Sequence, residues 1–189
     1  MQYLLDSDVF IQAKNLHYSF DFCPAFWDWI DRSHDRGIVF SIEKVRSELV
    51  AIEDELANWA KRRGDDFFLP PDDAILPSLA VISAWASSGK YEPAAVSTFL
   101  QVADYYLVAH AHAHAFTVVT HEVAAEIVKK IKIPNACIGL SVTVMSPYEM
   151  LRIEKARFVL GGPAASGGSA QQRGGSGPTS GQEALWNDP

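Results

Sequence analysis

The chain has 189 residues, is 48% hydrophobic, and carries a formal net charge of -7 from 16 basic and 23 acidic side chains. That length suits one domain with a sizeable core, and the acidic balance excludes a strongly basic nucleic-acid binder. Cys23 and Cys137 lie in apolar surroundings without metal-type spacing, no leader pattern opens the sequence, and no apolar run is long enough to span a membrane; the expected setting is cytoplasmic.

The first element is a short apolar strand, Tyr3-Leu4-Leu5, that stops at Asp6-Ser7-Asp8 before apolar residues resume at Val9-Phe10-Ile11. Burying an unpaired carboxylate is costly, so two at one spot need hydrogen-bond donors or a cation. A helical pattern follows near residues 25–35. The aromatics around it, Phe20, Phe22, Phe26, Trp27 and Trp29, read as core or interface, and Phe26, Trp27 and Trp29 cannot all face inward on one helix, which is consistent with a homodimer. Ile38-Val39-Phe40 reads as a strand leading into one long amphipathic helix over 42–63. Its apolar positions Val45, Leu49, Ile52, Leu56 and Trp59 fall at spacings of three and four. Residues 73–86 and 93–114 predict further helices, interrupted at Ser87-Ser88-Gly89 and Pro93. Two short strands, 116–119 and 142–145, precede a helix starting near Pro147. Short apolar strands separated by helices predict an α/β fold with a central parallel sheet flanked by helices. From 161 to 189 the composition turns to Gly, Ser and Pro, which predicts a flexible tail beyond a folded unit of residues 1–160.

Ligands of open α/β sheets bind beyond the carboxyl ends of the strands. Asp6 and Asp8 follow the first strand, and Glu122 follows the strand ending Val118-Val119-Thr120. Glu48, in VRSELV, and Asp104, in QVADYYLVAH, sit on helices expected to face the same edge. Grouped carboxylates repel one another unless a cation neutralises them, and hard oxygen ligands suit Mg²⁺ or Mn²⁺. Such a site can activate water and stabilise charge on a phosphate undergoing displacement.

The order YLLDSDVFI, an SEL helix, ADYYLVA and VVTHE resembles the PIN-domain nucleases over about residues 1 to 155. FDFCPAFWDWI and KIKIPNACI are similar to one PIN-like family of uncharacterised prokaryotic proteins. The resemblance implies a three-layer PIN-like fold and an acidic quartet of Asp6, Glu48, Asp104 and Glu122, with Thr120 as the polar neighbour before the fourth acid. It further implies a Mg²⁺- or Mn²⁺-dependent endoribonuclease, the toxin of a toxin–antitoxin pair, with an antitoxin protein as partner. Asp8 stands where many members have Asn, Ser or Thr, and Glu122 is one methylene longer than the usual Asp. A catalytically silent PIN-like module that binds RNA or protein is the alternative reading.

Lys61-Arg62-Arg63 and Lys129-Lys130 are candidate phosphate contacts, as are Lys44 and Arg46 near Glu48. His110, His112 and His114 read as surface imidazoles at a helix C-terminus rather than as zinc ligands, because three residues spaced by two cannot share a helix face.

Overall fold

Every strand of the sheet is short and runs in the same direction. The computed structural model describes residues 1–159, so the stretch read as a tail, 161–189, lies outside the described residues. Five strands, β1 (Tyr3–Leu5), β2 (Val39–Ile42), β3 (Phe68–Leu69), β4 (Thr117–Val119) and β5 (Val144–Met145), lie in the order β3-β2-β1-β4-β5, with each neighbouring pair parallel. Tyr3, Leu4, Leu5, Val118 and Val119 are wholly buried, as expected of parallel strands covered on both faces. The buried Ser41 hydroxyl of β2 donates to the Leu5 carbonyl of β1 at 2.7 Å.

Nine α-helices flank the sheet among the described residues: α1 (Ser7–Gln12), α2 (Pro24–Asp35), α3 (Glu43–Leu49), α4 (Glu55–Lys61), α5 (Ile75–Ala86), α6 (Pro93–Phe99), α7 (Ala103–His114), α8 (Ile133–Gly139) and α9 (Pro147–Ile153). A π-helical turn, Ala13–His17, extends α1. The α/β class with a central parallel sheet flanked by helices is therefore as expected. The core between α1, α2, α4 and the sheet is aromatic: Phe10, Trp27, Trp59, Phe67 and Phe68 meet with ring centroids 4.8–6.5 Å apart.

Several elements differ from the sequence expectation. The helix expected over 42–63 is two helices, α3 and α4, separated by residues 50–54. Asp54 restarts the helix as the N-cap of α4: its carboxylate accepts the Ala57 N–H at 2.9 Å and the Lys14 ammonium at 2.7 Å. Ile52, which continued the apolar spacing, is exposed. The helix expected over 93–114 is likewise divided into α6 and α7. Strand β3 and helix α8 were not foreseen.

The three histidines also differ. His110 is buried with its Nδ1 unpartnered, and burial pushes its pKa down to about 4, so the ring is neutral at pH 7. His112 pairs with the Ser78 hydroxyl at 2.8 Å, and His114 with Asp72 at 2.9 Å. Reading them as surface imidazoles fails for His110. Phe26 and Trp27 belong to the core, with Phe20 stacked on Trp27 at 4.0 Å, while Phe22 is exposed.

Candidate functional site

The strand order reverses at β1, with β2 and β3 on one side and β4 and β5 on the other, so the carboxyl ends of β1 and β4 border a topological switch point. Leu5 pairs with Val119, which sets the next residues, Asp6 and Thr120, side by side. Asp6 caps α1, its Oδ1 accepting the Ser7 N–H at 2.7 Å, and it is only 4% exposed. The Thr120 hydroxyl lies 3.0 Å from Asp6 Oδ2 and 3.1 Å from Asp8 Oδ2, and accepts the Glu122 N–H at 3.1 Å. Both oxygens of Asp8 also accept the His121 N–H at 3.1 Å. A threonine hydroxyl has one proton, so it can donate to only one of the two carboxylates at a time.

Asp104 opens α7, and Glu48 stands near the end of α3. The two acids line one cleft of about 360 Å³ with Lys129, Lys130 and apolar residues of α6 and its surroundings. Burial and the charges of Asp8 and Asp104 hold Asp6 well above the usual carboxylate range, against hydrogen bonds from Thr120 and Ser7. Burial, Glu122 and Glu48 push Asp104 up to about 6, opposed by the Lys130 ammonium. These shifts mean that the five carboxylates act on one another across one edge of the sheet.

Glu122 is engaged differently from the others. Its Oε1 accepts the Lys130 ammonium at 2.8 Å, and its Oε2 accepts the Ile133 N–H at the start of α8, at 2.9 Å. The lysine thereby stands within the field of three acids, Glu122, Asp104 and Asp6, all of which favour its charged form. Nothing in the sequence pattern links residues 122, 130 and 133, because the segment between them is not helical and has no period.

Among the described residues, no three His, Cys, Asp or Glu side chains stand together closely enough to hold a metal ion as they are arranged. The donor set still fits a hard divalent cation. It offers carboxylate oxygens only, burial and neighbouring charges raise the pKa values of Asp6 and Asp104, and one hydroxyl proton serves two carboxylates. The carboxylates of Asp104 and Glu48 accept no side-chain hydrogen bond among the described residues, each oxygen of Asp6 and Asp8 already accepts one and would bind an ion through its remaining lone pair, and Glu122 would first have to leave Lys130.

The basic candidates separate into groups. Lys129 and Lys130 line the cleft with Glu48 and Asp104. Lys44 lies over the Tyr106 ring at 5.1 Å, two residues beyond Asp104. Arg46 pairs with Asp65 at 3.7 Å. Arg63 is structural: it pairs with Asp31, donates to the Trp59 carbonyl and covers the Trp59 ring at 3.7 Å. Lys61 and Arg62 close the end of α4. His17 and Tyr148, not singled out from sequence, pack beside His121 with ring centroids 5.6–5.7 Å apart.

A family model described as a domain of unknown function, DUF4411, matches residues 3–158. No curated protein matches the chain. Among solved structures it is similar to the crystal structure of FitAcB from Neisseria gonorrhoeae, with 19% identity and a TM-score of 0.47, over 78% of this chain and 99% of that one.

Proposed function

We propose that this chain, which belongs to the DUF4411 family of domains of unknown function, is a metal-dependent endoribonuclease. The observation that carries the reading is the acidic cluster at the switch point, where Asp6 and Asp8 share the Thr120 hydroxyl and burial together with the charges of Glu122 and Glu48 raises Asp104 to about 6. A protein gains nothing in stability from such an arrangement unless a cation joins it. The order of the acids, as in the PIN-domain nucleases it resembles, supports phosphodiester hydrolysis. The same resemblance supports a toxin role with an antitoxin partner.

Asp6, Asp104 and Glu48 would hold a Mg²⁺ or Mn²⁺ ion, which supplies Lewis-acid polarisation of the phosphate and neutralises the carboxylates. Thr120 donates its proton to Asp6 Oδ2 or to Asp8 Oδ2 in turn and so orients whichever side chain accepts it. Lys130, at the mouth of the same cleft, draws a phosphate toward the acids and can exchange Glu122 for it. The apolar wall from Ala95 and Phe99 excludes water from one side of the cleft.

One observation favours the silent-module reading: both oxygens of Glu122 are already engaged, by Lys130 and by the Ile133 N–H. The test is a Mn²⁺ titration by calorimetry on the wild type and on Asp6→Asn/Asp104→Asn, with RNA cleavage followed on the same samples. The expected outcome is binding and cleavage in the wild type and neither in the variant. Binding without cleavage on any RNA would favour the silent module. Absence of Mn²⁺ binding in the wild type would remove the metal site itself.

A further inference from the structure

Helix α9 starts at the carboxyl edge of the sheet, beside the acidic site, and ends near the amino edge, where Glu154 accepts the Tyr3 hydroxyl at 2.9 Å. Along it lies a second cleft, of about 570 Å³, lined by Tyr18, Tyr148, Phe158, Arg152, Lys155 and Arg157 together with smaller apolar groups. No carboxylate lines this cleft, and none of its three cations forms an ion pair among the described residues. In a chain with a net charge of -7, three cations on one cleft stand against the overall sign, with Glu149 of the same helix as the carboxylate whose pKa is lowered by hydrogen bonds from Ser146 and, to a lesser degree, by the Arg152 charge.

The backbone at the end of α9 adds an independent observation. The Ala156 N–H donates to the Leu151 carbonyl at 2.9 Å and the Lys155 N–H to the Arg152 carbonyl at 3.1 Å, which is the double bond pattern of a left-handed helix cap. The residue in the left-handed position is Lys155, at φ 53, where glycine is favoured and a lysine is strained. Its side chain makes no hydrogen bond or ion pair among the described residues that would offset the strain. Strain retained at a residue whose ammonium lines a cation-rich cleft points to a use for that ammonium. Tyr148 connects the cleft to the acidic site. Its hydroxyl lies 3.0 Å from His17 Nε2, and its ring is 5.6 Å from that of His121, whose N–H donates to Asp8.

We infer that this cleft carries the single-stranded RNA beyond the cleaved phosphate, with a base against the aromatic rings and phosphates on Arg152, Lys155 and Arg157. Aromatic faces beside unpaired cations are the combination by which single strands are held without sequence readout. The overall negative charge offers no general attraction for a polyanion, so a local group of cations has to supply it. The inference rests on the ribonuclease reading for the identity of the polyanion.

The test measures binding of a fluorescein-labelled twelve-nucleotide oligouridylate to the full chain in EDTA, by anisotropy across a salt series. Arg152→Gln/Arg157→Gln is expected to weaken binding by about tenfold or more and to lower the log–log salt slope by about 1.4, two phosphate contacts' worth. Lys155→Gly is expected to raise the melting temperature, by relieving the left-handed strain, and yet to weaken binding; a purely structural lysine would give the first effect alone. Unchanged affinity and slope in both variants would overturn the inference. So would an equal loss, in the double variant, of binding to a labelled glutamate decapeptide, which would assign the cleft to an acidic protein segment. Because the readout is metal-free binding, a wild type that binds through this cleft but never cleaves would sink the ribonuclease reading and leave the cleft as a single-strand binding site with no cleaved phosphate beside it.

Discussion

Asp104 is the residue at which the acidic site can be read as a stability. With its carboxyl raised to about 6 from an ordinary 3.8, the native state binds more protons than the unfolded chain between those two values. Stability therefore falls as pH rises through that window, and the loss is complete above it. Asp6, raised by burial and by Asp8 and Asp104, acts in the same direction. Asp104→Asn is expected to melt higher than wild type at pH 7.5 without metal, by on the order of 1 kcal/mol, with the gap closing below about pH 4. Thermal melts across that pH range check it, and a variant that melts lower at pH 7.5 would show the carboxylate to be structural. Residue identity made the acids legible in the sequence, because strand ends and helix starts fix where short side chains must lie. The Lys130–Glu122 pair was not legible, because an irregular segment carries no period that would relate residues eight positions apart.

At the scale of elements, buried strands were visible as continuous apolar runs, and the helices with them. What failed were the two-residue strand β3 and the short helix α8, which carry too little pattern to be seen, and boundaries where one side chain overrides propensity. Asp54 is the clearest, since apolar spacing runs straight through the break after which its carboxylate caps a new helix. Two further positions oppose the usual rule. Gly139 closes α8, and a Cβ there would stand 2.3 Å from Trp85 Nε1. Ala115 ends α7 in the left-handed region at φ 57. Gly139→Ala is therefore expected to destabilise by about 1–3 kcal/mol despite alanine's better helix propensity. Ala115→Gly should stabilise by about 1 kcal/mol. Chemical denaturation of the two variants tests both signs, and a stabilised Gly139→Ala would mean that the Trp85 ring moves aside freely.

For the molecule as a whole, the net charge of -7 and the gathered acids predict a specific response to divalent ions. Mn²⁺ at one hundred times its dissociation constant should stabilise the native state by about 2.7 kcal/mol, a shift of several degrees in melting temperature. NaCl at matched ionic strength should give less; an equal shift would reduce the effect to screening. The parallel sheet was legible from alternation of strand and helix, but the strand order was not, since no local pattern states that β1 lies between β2 and β4. That order also sets a sequence in time. The hydrogen bond between Thr120 and Asp6 spans 114 residues, and a ribosome adds residues from one end. Asp6 and Asp8 are thus synthesised at once, Asp104, Thr120 and Glu122 only past the middle of the domain, and the centre assembles after the loop-closure cost of a long-range pairing has been met. A nascent chain or a fragment ending before residue 117 lacks β4 and with it any way to place Thr120 or Glu122, so whatever the centre does begins only when the whole sheet has closed.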